Sequence, residues 1–291
     1  MNEFESVLSR AESLMQRIEQ TLPTPPPEPD WTSSIAFRWR KRAGKGFLQA
    51  VAHPHPVLLA NLLGVDEQKK EIDRNTRQFV SRLPANNVLL TGARGTGKSS
   101  LVKAVLGQYA DKGLRLIEVD RLDLVDLPDI TDILYARPER FIIYCDDLSF
   151  DTGEPGYRAL KVALDGSVSG PAENVLIYAT SNRRHLMPEY MTENLETLST
   201  DREIRPGESI DEKVSLSDRF GLWLSFYAFD QDEYLSIAQN WLRHFGVTDA
   251  TSDKVRSEAL LWALTRGSRS GRSAWQFARD WAGRTGMKSK K

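Results

Sequence analysis

From residue 57 onward, the chain alternates short apolar runs with longer segments in which apolar residues recur every three or four positions. The short runs predict strands, and the longer spacing predicts amphipathic helices. The candidate strands are Val88 to Thr91, Leu114 to Val119, Phe141 to Cys145, Val175 to Ser181 and Leu222 to Phe229. Because this alternation is typical of strands joined by helical crossovers, it predicts a parallel sheet covered by helices on both faces.

After the last of these strands the pattern becomes helical. Asp230 and Glu233 have the spacing of a capping box, so they predict the start of a helix that ends near Gly246. Further helices are predicted from about residue 253 to residue 266 and from about residue 271 to residue 282. We therefore expect a small helical domain to follow the sheet.

The first 30 residues have a different pattern. Residues 2 to 22 carry one apolar helix face, formed by Phe4, Val7, Leu8, Ala11, Leu14, Met15 and Ile18. The stretch PTPPPEPD, residues 23 to 30, contains five prolines, which exclude a helix and favour an extended spacer. We expect the first helix to pack against the body or a sister subunit. A dedicated coiled coil is the less favoured alternative, because the stripe covers too few heptads.

Residues 31 to 50 combine basic and aromatic side chains with no acid. The basic residues are Arg38, Arg40, Lys41, Arg42 and Lys45, and the aromatic residues are Trp31, Phe37, Trp39 and Phe47. Proteins that bind single-stranded nucleic acid interleave these types, because cations neutralise phosphates and rings stack on bases. The favoured alternative is a solvated strand edge anchored by its aromatic residues, because the whole chain is balanced in charge and shows no helix-turn-helix pattern. Weak nucleic-acid binding is therefore the most that we expect.

Composition narrows the class of protein. The chain has 291 residues, 40% of them hydrophobic, and a formal net charge of -1. No apolar run approaches the roughly 18 residues of a membrane span, and the N-terminus MNEFESVLSR has no basic and apolar leader pattern, so we expect a cytoplasmic protein without a membrane partner. A single cysteine, Cys145, excludes an internal disulfide, and the four histidines do not have metal-ligand spacing.

The sequence GARGTGKSS connects the first predicted strand to the helical stretch SLVKAVLGQYA and fits the P-loop pattern. Its glycines let backbone amides turn toward an anion, and the helix N-terminus adds its dipole. Lys98 can bridge the β- and γ-phosphates, and the Ser99 hydroxyl can ligate magnesium. The alternative is a glycine turn that caps an ordinary helix. The predicted phosphate-binding residues are Gly92, Ala93, Arg94, Gly95, Thr96, Gly97, Lys98, Ser99 and Ser100.

Acidic and amide side chains follow two other candidate strands. FIIYCDD ends in Asp146 and Asp147, and VLIYATSN ends in Asn182. Because ligands bind at the carboxyl ends of strands in such folds, Asp146 is predicted to hold magnesium and Asp147 to orient or deprotonate the attacking water. Asn182 is predicted to position that water beside the γ-phosphate. Acids at strand ends and a turn asparagine also occur without such a role.

Two arginines complete the predicted site. Arg219 lies in SLSDRFG, between two apolar residues and just before the last strand, and Arg272 lies at the start of the last helix. Either can be an ordinary surface arginine. Together with the other motifs, they are predicted to supply the positive charges that phosphoryl transfer uses.

The order GARGTGKSS, FIIYCDD, YATSN, SDRFG and GSRSGR resembles the Walker A, Walker B, sensor 1, arginine finger and sensor 2 motifs of AAA+ ATPases. More narrowly, residues 50 to 285 resemble a bacterial family of AAA+ ATP-binding proteins catalogued as a domain of unknown function. The resemblance implies a three-layer α/β P-loop fold with a parallel five-stranded sheet in the order 5-1-4-3-2 and a C-terminal helical lid. It also implies adenine contacts from Gly64 and Val65, and an Arg219 that acts on the nucleotide of a neighbouring subunit.

Several features depart from that pattern. Most active members have Asp-Glu where this chain has Asp146-Asp147, so hydrolysis is expected to be slow. The region RLDLVDLPDITDILYARPER lacks the aromatic-apolar-glycine triplet of unfoldases, and Gly156-Tyr157 is more typical of a helix start. Arg183, Arg184 and the polar segment 188 to 213 are candidates for contacts with a subunit or partner, or for solvated surface.

We expect an ATP- and magnesium-dependent ATPase, homo-oligomeric in the ATP state, that remodels or loads a macromolecular partner, such as a protein. The alternatives are a slow ATP-dependent switch or scaffold, and a DNA-associated protein similar to helicase loaders. A small kinase is disfavoured by the finger and the lid. The predicted regions are an N-terminal helix and linker at 1–30, a basic and aromatic segment at 31–56, an α/β domain at 57–229 and a helical lid at 230–291.

Overall fold

The computed structural model of the chain describes residues 3–21, 28–150, 154–166, 172–182 and 216–289. Arg183, Arg184 and the segment 188 to 213 lie outside the described residues, so their predicted contacts stay predictions.

The centre of the fold is one seven-stranded sheet in the order β2-β1-β4-β5-β6-β3-β7. All neighbouring strands are parallel except β1 and β2, which form an antiparallel hairpin. The strands are β1 (Ala36–Arg42), β2 (Lys45–Ala50), β3 (Val88–Gly92), β4 (Leu114–Glu118), β5 (Arg140–Cys145), β6 (Val175–Ser181) and β7 (Leu222–Phe226).

The expected five-stranded parallel sheet is therefore wrong in size and in type. The five predicted strands are present and lie in the predicted order, now β7-β3-β6-β5-β4. The two additional strands come from the basic and aromatic segment, where β1 pairs with β4 through Phe37 opposite Ile117. Their turn is formed by Ala43 and Gly44, which both have positive φ angles of 50° and 77°. Such two-residue turns match the twist of a hairpin, so this sequence closes β1 onto β2.

The hairpin joins the sheet because its aromatic residues alternate with its basic residues. Phe37 and Trp39 are 0% and 2% exposed, and Trp31 packs its ring 4.6 Å from that of Phe37. Arg38, between them, and Arg40 point to the opposite side, because successive strand residues face opposite sides. The hydrophobic effect on one side of β1 therefore offsets the exposed charge on the other.

Eight α-helices accompany the sheet. They are α1 (Glu3–Thr21), α2 (Asp66–Val80), α3 (Lys98–Tyr109), α4 (Leu127–Tyr135), α5 (Pro155–Asp165), α6 (Gln231–His244), α7 (Asp253–Thr265) and α8 (Gly271–Ser289). This number refers to the described residues alone.

Two apolar layers cover the two faces of the sheet. Ile142 and Tyr144 of β5 share one buried cluster with α2 and α3, whereas Phe141 and Ile143 share the other with α4 and α5. This division follows from the alternation of strand side chains. The result is a helix-sheet-helix arrangement in which the carboxyl ends of six parallel strands open toward one edge.

The C-terminal helices continue the first of these layers. The predicted capping box is present: the Asp230 side chain accepts from Glu233 N–H at 2.8 Å, and the Glu233 carboxylate accepts from Asp230 N–H at 2.9 Å. Tyr234 of α6 and Phe277 of α8 are fully buried in the same cluster as α2 and α3. The helices therefore pack beside the end of the sheet that carries GARGTGKSS.

The helix α1 has the predicted amphipathic pattern, and its apolar face is exposed in this single chain. Phe4, Val7 and Met15 are 68%, 66% and 63% exposed. Among the described residues, no helix combines the length and the apolar character required to cross a membrane.

Candidate nucleotide site

The segment GARGTGKSS forms a tight loop between β3 and α3. Gly92 ends β3 with φ of 128°, and an added Cβ would lie 1.9 Å from the carbonyl oxygen of Phe226 in β7. Gly97 precedes α3 with φ of 100°, in the left-handed region that favours glycine. The Thr96 hydroxyl donates to Ala93 O at 2.8 Å and closes the loop. The glycines are therefore required by the backbone geometry.

Lys98 lies under this loop and is 6% exposed. Its ammonium donates to Gly92 O and Ala93 O, both at 2.7 Å, and to Asn182 Oδ1 at 3.1 Å. Burial lowers the pKa of Lys98, although the charges of Asp147 and Asp146 oppose the shift. The ammonium is thus held at the loop by two backbone carbonyls and the Asn182 amide oxygen, with Asp147 and Asp146 nearby.

Ser99 and Asp146 form the second part of the site. Ser99 Oγ donates to Asp146 Oδ1 at 2.8 Å, and Thr180 Oγ1 donates to the same oxygen at 2.6 Å. Burial opposes the ionised form of Asp146, but the nearby hydroxyls of Thr180, Tyr144 and Ser99 outweigh it and lower the pKa of Asp146. The carboxylate is therefore stabilised as an anion beside a hydroxyl oxygen.

This pair of oxygen groups fits magnesium. Magnesium is usually bound by one or two protein oxygens, with water and phosphate oxygens completing an octahedron. Among the described residues, no group of three or more His, Cys, Asp or Glu side chains is arranged to hold a metal alone. Ser99 and Asp146 would thus hold the ion together with a nucleotide, rather than as an all-protein cage.

Asp147 and Asn182 meet beside Lys98. Asp147 has φ of 53°, a left-handed conformation that aspartate adopts more readily than most non-glycine residues. Its N–H donates to Thr180 Oγ1 at 2.9 Å, and Asn182 Nδ2 donates to Asp147 Oδ1 at 2.5 Å. Thr180 therefore holds the carboxylate of Asp146 and the backbone of Asp147, a role that the sequence analysis missed. Its position two residues before Asn182 on β6 was the available signal.

These groups line a cavity of about 610 Å³. It also contains Val65, Arg272 and three aromatic residues that the sequence analysis did not single out, Phe229, Trp241 and Trp275. Gly64, with φ of 73°, instead lies against Phe229, where an added Cβ would be 2.9 Å from the ring. Gly64 therefore shapes the wall behind the cavity.

The C-terminal helices contact the loop directly. Gly271 N–H at the start of α8 donates to Gly95 O at 2.8 Å. An added Cβ on Gly95 would lie 2.9 Å from Cβ of Ser270. The loop and α8 approach closely because Gly95 and Gly271 have no side chains at the contact. This contact places Arg272 at the edge of the cavity.

Arg219 lies away from this cavity. Its Nε donates to Asp165 Oδ1 of α5 at 2.6 Å, and its neighbours Leu216 and Phe220 are buried. It precedes the amino end of β7, whereas GARGTGKSS follows the carboxyl end of β3, so the two lie at opposite ends of parallel strands. One chain thus brings together the residues around Lys98, Asp146, Asn182 and Arg272, but not Arg219.

Two other predicted features have structural roles. Gly156-Tyr157 lies in the first turn of α5, and Tyr157 is 7% exposed with its ring 5.7 Å from that of Phe150.

In the basic and aromatic segment, Arg38 pairs with Glu118 at 2.7 Å, and Lys41 pairs with Asp126 at 2.7 Å.

Trp39 Nε1 also donates to Asp126 Oδ2 at 2.8 Å. Trp31, Phe37 and Trp39 are buried, so their faces are not available for stacking on bases. The segment thus has the form of the favoured alternative, a strand edge anchored by its aromatic residues.

Part of the chain is similar in sequence to known proteins. The chain is 27% identical over 182 residues to the ATP-dependent zinc metalloprotease FTSH 9, chloroplastic, of Arabidopsis thaliana, and 25% identical over 161 residues to FtsH of Caldicellulosiruptor bescii. These matches cover 52% and 45% of this chain but only 22% and 25% of the relatives. The chain therefore spans about a quarter or less of the length of these curated relatives.

A lysine-to-arginine mutant of RuvB from Thermotoga maritima has a similar structure. The TM-score is 0.51 at 15% identity, and the match covers 77% of this chain and 64% of that chain. The shared fold is the α/β P-loop fold, and with the site it defines the class, the AAA+ ATPases. Within that class, residues 32–285 match the family described as "Protein of unknown function (DUF815)", and the chain belongs to this family.

Proposed function

We propose that the protein binds ATP with magnesium and hydrolyses it to ADP and phosphate. A homo-oligomer then uses this cycle to remodel or load a macromolecular partner. The observation that carries the proposal is the convergence of two hydrogen-bonded groups at one cavity. One is Lys98 with Asn182 and Asp147, and the other is Ser99 with Asp146.

Binding begins at the loop. The ammonium of Lys98 is held by two carbonyls and an amide oxygen, which are neutral acceptors. Phosphate oxygens are anionic and would replace them with stronger, charge-assisted hydrogen bonds. The N-terminus of α3 adds backbone N–H groups aimed at the same position.

Ser99 and Asp146 would hold magnesium beside these phosphates. When bound, the ion neutralises charge on the β- and γ-phosphate oxygens. Thr180 keeps Asp146 in position, because its hydroxyl donates to the carboxylate oxygen that also accepts from Ser99. The lowered pKa of Asp146 keeps this carboxylate ionised at neutral pH.

Asp147 and Asn182 would act on the attacking water. The carboxylate can accept a proton from water, and the amide can orient the same water for in-line attack. Their contact at 2.5 Å shows that both groups reach one place. The Asp147 carboxylate already accepts a hydrogen bond from Asn182, and its side chain is one methylene shorter than that of glutamate. Both features support a low rate of hydrolysis.

Arg219 supports the proposal that the active form is oligomeric. Within one chain it lies at the opposite end of the strands from Lys98, so its guanidinium can stabilise phosphoryl transfer only on another subunit. Arg272, at the cavity edge, would supply the charge from within the same chain.

A slow ATP-dependent switch is the second candidate. It is favoured by the backbone contact between Gly271 and Gly95, through which a bound phosphate would order the C-terminal helices. In that case binding changes the arrangement of the helices, and turnover is incidental.

ATP turnover measured against protein concentration separates these candidates. The proposed function requires turnover per subunit to rise as the concentration rises. ATP binding without turnover at any concentration would leave the switch. A parallel series with single-stranded DNA tests the third candidate, the DNA-associated protein, because DNA should then increase turnover.

A further inference from the structure

Tyr144 is a buried tyrosine next to the proposed magnesium ligands. It lies on β5, two residues before Asp146, and is 1% exposed. Its side chain belongs to the apolar cluster that contains Leu101 and Val102 of α3, the helix that begins with Lys98 and Ser99. The strand thus directs the phenol toward the layer from which Ser99 approaches Asp146.

The phenolic oxygen of Tyr144 is buried and makes no hydrogen bond of normal length and angle among the described residues, although Asp146, Ser99 and Thr180 lie close to it. A buried hydroxyl without a partner is unfavourable for folding. Phenylalanine would fill the same space without this penalty, so the hydroxyl is not explained by packing.

Tyr178 provides a contrast within the same sheet. It lies directly opposite Tyr144 in the register of β5 and β6 and is also fully buried. Its hydroxyl lies 2.9 Å from Thr76 Oγ1 and 3.2 Å from Asn75 Nδ2, and so connects β6 to α2. Tyr178 therefore has a structural role that Tyr144 lacks.

The hydrogen bonds around Asp146 indicate how the Tyr144 hydroxyl could orient the proposed magnesium ligands. Ser99 and Thr180 both donate to the same oxygen, Oδ1. A cation at this position would attract the lone pairs of Ser99 Oγ and of Asp146, and the hydroxyl hydrogens would have to turn. A third hydroxyl fixed by packing can then donate to the carboxylate or accept the hydrogen of Ser99.

We propose that Tyr144 is a positioning residue for magnesium, whose hydroxyl orients Asp146 and Ser99 when the metal binds. This inference rests on the proposed function, because it assumes a magnesium nucleotide at the site. Groups that orient metal ligands in this way typically change metal affinity by 10- to 100-fold when removed. Tyr144 is not among the residues that line the cavity, so its role is in positioning the metal ligands.

The test compares Tyr144→Phe with Tyr178→Phe in the full chain. Each variant loses one phenolic oxygen from the same face of adjacent strands. The first measurement is the thermal midpoint without nucleotide. The second is ATP binding in EDTA and in a magnesium titration, followed by tryptophan fluorescence, to which Trp241 and Trp275 of the cavity lining contribute.

Tyr144→Phe is expected to have a thermal midpoint equal to or above that of the wild type, and to bind ATP equally in EDTA. The magnesium concentration for half-saturation should rise about tenfold. Tyr178→Phe should show the opposite pattern: a lower midpoint, because two hydrogen bonds are lost, and an unchanged magnesium requirement.

Three results would overturn the inference. Tyr144→Phe with a wild-type magnesium requirement would show that the hydroxyl does not act on the ligands. Failure of this variant to fold, or a lower midpoint, would show a structural role. Magnesium-independent ATP binding by the wild type would contradict the role of Tyr144 but would be consistent with nucleotide binding. No ATP binding under any condition would contradict the proposed function itself.

Discussion

The pair formed by Arg219 and Asp165 leads to a quantitative prediction about turnover. In one chain, Arg219 Nε donates to Asp165 Oδ1 at 2.6 Å, with side chains 23% and 47% exposed. If Arg219 acts on the nucleotide of a neighbour, this contact must break first. Removing the acid by Asp165→Asn should therefore increase turnover, whereas Arg219→Ala should abolish turnover and leave ATP binding unchanged.

The exposure of the pair limits the size of this effect. Partly exposed ion pairs contribute about 0.2–1 kcal/mol, because water screens the charges. The upper value corresponds to about fivefold in an equilibrium, so Asp165→Asn should raise turnover by at most about fivefold. Asp165 is the last residue of α5, where a negative charge is unfavourable for the helix dipole, so the substitution should not destabilise the helix.

The assay is steady-state ATP turnover over a protein dilution series. Asp280→Asn is a matched control, because Asp280 pairs with Arg284 at 2.8 Å on α8, and its loss should leave turnover unchanged. The largest increase from Asp165→Asn is expected at the lowest concentrations, where breaking the pair limits assembly. Arg219→Ala with normal turnover, or Asp165→Asn with lower turnover, would refute the reasoning.

Three further predictions concern binding and catalysis. Lys98→Ala should weaken ATP binding by about 10- to 150-fold, equivalent to about 1.5–3 kcal/mol for charge-assisted hydrogen bonds, with an unchanged circular dichroism spectrum; normal affinity would mean that the loop is only a turn. Asp147→Asn should keep ATP binding but lose turnover by about a hundredfold, and Asp147→Glu should retain or raise the rate; no turnover in either the wild type or the Glu variant would leave the switch. Any binding of single-stranded DNA should depend on Arg40, Arg42 and Lys45. The logarithm of the binding constant should then fall with the logarithm of the salt concentration with a slope of about -2. Equal binding after replacement of these three residues by Ala would show that the hairpin does not bind DNA.

Much of the candidate site follows from the sequence because its signals are local. A glycine-rich loop between a strand and a helix, acids directly after an apolar strand, and a capping box each depend on residues that are neighbours in the chain. Parallel strands then bring their carboxyl ends to one edge. This is why Lys98, Asp146 and Asn182 could be assigned to one site before their distances were known.

The tertiary structure decided the features that depend on distant residues. The sequence of the hairpin shows alternating aromatic and basic residues, but only the edge of β4 makes it part of the sheet. The role of Thr180 between Asp146 and Asp147, and the pairing of Arg219 with Asp165, depend on segments that are far apart in the chain.

The lack of a hydrogen bond of normal length and angle for the Tyr144 hydroxyl among the described residues was equally invisible in the sequence. Apolar periodicity records which side of an element is buried, but not which polar atoms meet there. Those contacts are fixed when the two layers pack on the sheet, because only then are the polar atoms removed from water and required to find partners.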